Sequence, residues 1–179
     1  MSEKLAKLQE ILGEVSDLGR AGAILSWDQQ VNMPPMGGEA RGQQLATLGK
    51  LAQEKFTSDE VGSLLEDLKK EYNDPETDEG AMVRVAARGY DKAKRVPASF
   101  VAEQAMVATK ALEAWVEAKG KSDFSIFRPH LERNVELVKQ YVSFFPPADH
   151  PYDTLLDDYE PGMKTAEVRE IFGNLRPKQ

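Results

Sequence analysis

The chain has no cysteine among its 179 residues, which excludes disulfides, thiolate zinc sites and thiol nucleophiles. Histidine is nearly absent as well, with His130 and His150 the two copies. A catalytic zinc usually takes three protein ligands, mostly His with a carboxylate. His130 is followed by Leu131, Glu132, Arg133 and Asn134, so no second His stands one helical turn on. The plainer reading is a surface or helix-start His130 and a loop His150 held before Pro151. No apolar run is long enough to span a bilayer, and Met1–Leu5 shows no apolar signal segment. The expectation is a cytoplasmic protein with no membrane partner. Gly37-Gly38 lacks the Gly-Lys-Ser/Thr that cradles phosphates, and no serine has a paired base that would suggest a catalytic triad.

Positive charge is the minority sign. Lys and Arg number 23 against 30 Asp and Glu, giving a net charge of -7 and a pI near 5.0. Nucleic-acid surfaces need concentrated cations to displace counterions from phosphates. The local basic run Lys92-Ala93-Lys94-Arg95 is surrounded by acidic residues, so nucleic acid is not an expected partner. The length is sufficient for a real core, burying roughly 70% of the unfolded surface.

Strand-like alternation and internal repeats are missing, and helical periodicity fills the space. Leu5, Leu8, Ile11, Leu12, Val15 and Leu18 mark one apolar face of a first helix running toward Trp27, despite Gly13, Gly19 and Gly22. These small residues also offer a neighbouring helix a close approach. Pro34-Pro35 and Gly37-Gly38 break the helix. A second helix is expected from Gly38 to about Phe56 with Leu45, Leu48, Leu51 and Ala52 inward. Thr57 and Glu60 fit a capping box for a third helix through Val61, Leu64, Leu65 and Leu68. Asp74-Pro75 reads as a capped start for a fourth, carrying Met82, Val83, Val85 and Ala86 to about Arg95. Pro97 restarts the pattern for a long helix ending at Gly120, with Phe100, Val101, Ala105, Val107, Ala108, Leu112, Trp115 and Val116 apolar. Further helices are expected over about Ser125–Phe145 and Tyr152–Tyr159, with Thr165 capping a last one through Val168, Ile171 and Phe172. The fold class is all-α, built of antiparallel helices with short connections. Leu175–Gln179 follows a short helix directly and reads as a cut rather than a finished end.

Two tracts carry the candidate site residues. Asp153 and Asp157, four apart, share a helix face and join Asp158 and Glu160 in an acidic cluster beside Tyr152 and Tyr159. The cluster reads either as the acidic wall of a cleft, with weak capacity for a hard cation, or as a solvated helix whose early carboxylates complement the helix dipole. Composition favours the second. Trp27 reads as core and Asp28 as a turn cap in preference to ligand contacts. The Met33–Met36 loop reads as a routine connection or a binding edge.

The first tract is Leu25-Ser26-Trp27-Asp28-Gln29-Gln30, followed by Met33-Pro34-Pro35-Met36-Gly37-Gly38-Glu39-Ala40-Arg41. The second runs from His150-Pro151-Tyr152-Asp153 through Leu155-Leu156-Asp157-Asp158 to Tyr159-Glu160-Pro161-Gly162-Met163. Together and in this order, the chain resembles the N-terminal part of the carboxypeptidase Taq family of metallocarboxypeptidases, over its whole length. The resemblance implies a soluble, mostly helical, homodimeric enzyme. Such enzymes release C-terminal residues from peptide substrates with broad specificity, generally sparing proline. They depend on zinc or cobalt held by a His-Glu-x-x-His helix and a later Glu. That motif is absent here, and the family's carboxylate-gripping motifs also lie beyond the matched region. The resemblance therefore assigns no catalytic and no metal residue to this chain, and no metal is expected to be bound by it. It implies a single helical N-terminal region, residues 1–179, forming one wall of a deep cleft. The cleft candidates are Trp27, Asp28, Tyr152, Asp153, Asp157, Tyr159 and Glu160. Isolated, the chain is expected to be inactive and to self-associate through exposed apolar surface. Two rival readings remain: a helical module that binds a protein partner without catalysis, and an unrelated metal enzyme using His130, His150 and the Asp153/Asp157 pair.

Overall fold

The computed structural model describes residues 2–176, and the end residues Pro177, Lys178 and Gln179 lie outside that range. The described residues form eight helices and no strand: α1 (Glu3–Val31), α2 (Gly38–Phe56), α3 (Asp59–Glu71), α4 (Asp78–Ala93), α5 (Ala98–Lys121), α6 (Phe124–Ser143), α7 (Pro151–Leu156) and α8 (Thr165–Leu175). They fall into two compact units, Met1–Asn134 and Val135–Gln179.

In the first unit the apolar periodicity becomes a core. Leu5, Leu8 and Ile11 of α1 meet Val61, Leu65 and Leu68 of α3 and Val83, Ala86 and Ala87 of α4. The edge-on pair of Phe56 and Tyr90 packs beside them. A second seam joins α2 to α5 and α1 through small residues. Gly42 and Ala46 are buried on α2, and Ala111, Ala114 and Ala118 on α5. A Cβ at Gly42 would lie 3.0 Å from the Met106 sulfur and 3.6 Å from the Thr109 side chain, so α5 packs closely on this position. Of the α1 glycines, only Gly22 has a neighbour at its Cβ position, the Leu45 side chain at 3.9 Å.

The small-residue seam reverses several expectations. Leu51 on α2 and Trp115 and Val116 on α5 are exposed, as is Val85 on α4, outside this seam. Close packing on Gly and Ala leaves the larger side chains at neighbouring positions outside. Capping differs too. Ser58, not Thr57, starts α3, accepting the Val61 N–H, while the Thr57 hydroxyl turns back to the Gln53 carbonyl at 2.8 Å. Asp74-Pro75 forms a turn ahead of α4 rather than its first residues. Thr77 is the N-cap and accepts the Gly80 N–H at 3.1 Å. The fifth helix runs to Lys121, where Ser122 takes a left-handed conformation at φ 52°.

In the second unit Leu137 of α6 is buried. α7 ends at Leu156, earlier than the expected Tyr159. Lys164, not Thr165, holds the N-cap position of α8.

Candidate functional site

The two tracts lie one in each compact unit. In the first, Arg41 of α2 reaches back to the end of α1. Its Nη2 is 2.5 Å from Asp28 Oδ2, and its Nη1 donates to the Leu25 carbonyl. The Arg41 side chain is only 11% exposed, so the planar guanidinium is committed to this clasp across the Pro34-Pro35 loop. The Arg41 hydrogen bond holds the Asp28 carboxyl below the usual carboxylate range. Asp28 therefore anchors the helix–loop–helix, and its backbone carbonyl also accepts the Asn32 and Met33 N–H groups of the following turn, each at 2.9 Å. Trp27 is not core: it is 60% exposed, because Gly22 and Ser26 face the α2 and α5 side and Trp27 points elsewhere.

A cleft of about 1030 Å³ opens in the same unit, lined by Gln30, Met33, Glu39, Glu113, Trp115 and His130 among others. The Met33–Met36 loop thus forms one edge of a concavity. The Glu113 carboxylate sits where a Cβ of Gly38 would be, 1.7 Å from that position. It brings negative charge to the N-terminus of α2, which has no side-chain cap of its own.

The second tract is built around Asp153, which is 6% exposed. Its Oδ1 accepts both the backbone N–H of Thr165, at 2.8 Å, and the Thr165 hydroxyl, at 2.6 Å. Its Oδ2 accepts the His150 N–H at 3.3 Å, with the Lys164 ammonium 3.7 Å away. The Thr165 hydroxyl and N–H, ahead of the other contacts, hold this carboxyl below its ordinary range. His150 is the N-cap of α7, its Nδ1 accepting the Tyr152 N–H at 3.1 Å. Asp157 Oδ1 accepts the N–H of Gly162 at 2.9 Å. That turn needs φ 86° at residue 162, a conformation natural to glycine. The Tyr141 hydroxyl donates to Asp158 at 3.0 Å, and burial beside this carboxylate pushes the phenol well above its usual range. Within the acidic cluster Asp158 and Glu160 are exposed, as on a solvated helix end, whereas Asp153 is buried. Asp153 and Asp157 are spent on closing α7 against α8 and the Pro161-Gly162 turn. Tyr152, Tyr159 and Glu160 stay exposed.

Among the described residues, no three His, Cys, Asp or Glu side chains gather as a metal's ligands would. His150 Nδ1 caps a helix, and Asp153 is saturated by Thr165 and the His150 N–H. This donor set does not fit a catalytic metal, and no step of metal chemistry follows from it. Sequence reading had singled out neither Arg41 as the partner of Asp28 nor Thr165 as that of Asp153. Both pairings are tertiary and carry no periodic signal.

These features define an all-helical scaffold with an open cleft in the first unit and an acidic clasp in each unit. The family model for the Carboxypeptidase Taq (M32) metallopeptidase matches residues 7–178, and the chain belongs to that family. It is 34% identical over 170 residues to carboxypeptidase 1 of Bacillus subtilis, covering 93% of this chain and 33% of that protein. It is 32% identical over 180 residues to thermostable carboxypeptidase 1 of Thermus thermophilus, covering 94% of this chain and 35% of that one. The BsuCP crystal structure superposes with a TM-score of 0.93 at 31% identity, over 98% of this chain and 35% of the other. The structure of Pyrococcus furiosus carboxypeptidase superposes at 0.77 and 32% identity, over 99% and 36%. The chain spans about a third of the length of the relatives it matches. No helix among the described residues is long and apolar enough to cross a membrane.

Proposed function

We propose that this chain is the non-catalytic N-terminal helical region of a metal-dependent carboxypeptidase that removes C-terminal residues from peptides with broad specificity. The carrying observation is the match of nearly the whole chain to one third of M32 carboxypeptidases, in a chain without His-Glu-x-x-His. In this reading zinc or cobalt and the water-activating Glu belong to the remaining two thirds, and the chain alone is catalytically silent. Its own residues shape the entrance. The clasps at Arg41–Asp28 and Asp153–Thr165 each hold one motif tract in place within its own unit. Tyr152, Tyr159 and Glu160, exposed on the second tract, are the candidates placed to meet a peptide. The whole enzyme is a cytoplasmic homodimer in this account.

The test joins the chain to its natural continuation and follows release of C-terminal amino acids from an unstructured peptide. Release by the joined protein alone, abolished by a chelator and restored by divalent metal, is the expected result. Release by the 179-residue chain, or chelator-resistant release by the joined form, contradicts the proposal. Sedimentation of the joined protein checks the homodimer.

A further inference from the structure

On α1, Ile24, Trp27 and Val31 are 65%, 60% and 59% exposed. Spaced by three and four residues, they form one apolar stripe over the last two turns of the helix. The opposite side of the helix, with Gly22 and Ser26, faces α2 and α5, so nothing among the described residues buries the stripe. The loop that follows presents Met36, almost wholly exposed. One turn earlier on the same face the apolar character stops at Asp17 and Arg20, an exposed ion pair 3.5 Å apart.

The size and the boundary of the stripe decide its occupant. The three side chains expose roughly 300–400 Å² together, well short of the about 800 Å² per partner that an independent interface takes. A second copy packed along α1 would also have to bury Asp17 and Arg20 in the seam, at the cost of desolvating both charges. A covalently attached partner is under neither constraint. Tethering raises its effective concentration to about the millimolar range, so a small patch suffices. The relatives place these same helices within chains about three times as long. Resting on the function proposed above, we infer that the Ile24–Trp27–Val31 stripe is the seat on which the catalytic two thirds of the full-length enzyme dock.

The test is the double substitution Ile24→Glu and Val31→Glu, made both in the 179-residue chain and in the joined protein. Both sites are exposed helix positions, so the urea midpoint of the chain alone stays unchanged while that of the joined protein falls. Unchanged midpoints in both would overturn the inference, since the stripe would then stay in water. A fall in the chain alone also overturns it, and if that fall depends on protein concentration the occupant is a second copy. The unsubstituted joined protein, assayed for peptide hydrolysis, tests the function separately. Were it inactive, the carboxypeptidase reading would fail, and the midpoints would still report whether the stripe is covered.

Discussion

Replacing Gly80 by Ala should destabilise the protein, although helix propensity alone predicts a gain of about 1 kcal/mol for Gly→Ala inside a helix. Gly80 lies in the first turn of α4, and a Cβ there would stand 1.8 Å from the Asp74 carbonyl oxygen and 2.9 Å from Thr77 Oγ1. The oxygen is backbone, so no rotamer relieves the clash, and the turn over residues 74–77 must move. That movement disturbs the Gly80 N–H to Thr77 Oγ1 cap and both hydrogen bonds from Thr77 to the Asp74 carbonyl. Loss of a cap costs about 1 kcal/mol. Two partly solvated turn bonds add about 1–2 kcal/mol. Set against the propensity gain, the net loss is about 1–2 kcal/mol. Gly13→Ala is the control, because nothing lies within 4 Å of its Cβ position in exposed α1, and it should gain about 0.5–1 kcal/mol. The assay is urea unfolding followed by far-UV circular dichroism. Opposite shifts of the two midpoints are expected. A Gly80→Ala variant as stable as Gly13→Ala would refute the close approach of the turn to α4.

Leu68→Ala, at a fully buried position of the first unit's core, should cost about 2–5 kcal/mol in the same assay. Ser122→Gly should raise stability by about 1 kcal/mol, since Ser122 bears a side chain in a left-handed helix cap. Asp153 has a depressed carboxyl pKa, so its contribution is present above the ordinary value of 3.8 and is lost as pH falls below it. Amide exchange of the α7–α8 segment should therefore accelerate as pH drops through that acid window relative to intrinsic rates. Asp153→Asn should remove that acid dependence and open the segment at neutral pH as well.

Helix positions were largely legible because apolar spacing and proline act locally. Pro34-Pro35 and Pro97 mark real boundaries, and α2 runs over Gly38–Phe56 as its pattern implies. Faces were less legible. A seam built on Gly42, Ala46, Ala111 and Ala114 has little hydrophobic contrast, so Leu51 and Val116 drew attention to the wrong side. Caps failed where two hydroxyls compete, as at Thr57 and Ser58, because the choice depends on which one bonds back into the preceding helix. The motif tracts were recognisable as strings, but their physical roles depend on Arg41 meeting Asp28 and Thr165 meeting Asp153. Those contacts form only when separate helices pack.

The most direct test of the central claim is the native coding sequence beyond Gln179. The account predicts an in-frame His-Glu-x-x-His helix with a later Glu. A stop codon directly after Gln179 would contradict it, leaving a helical scaffold of this family without catalytic machinery.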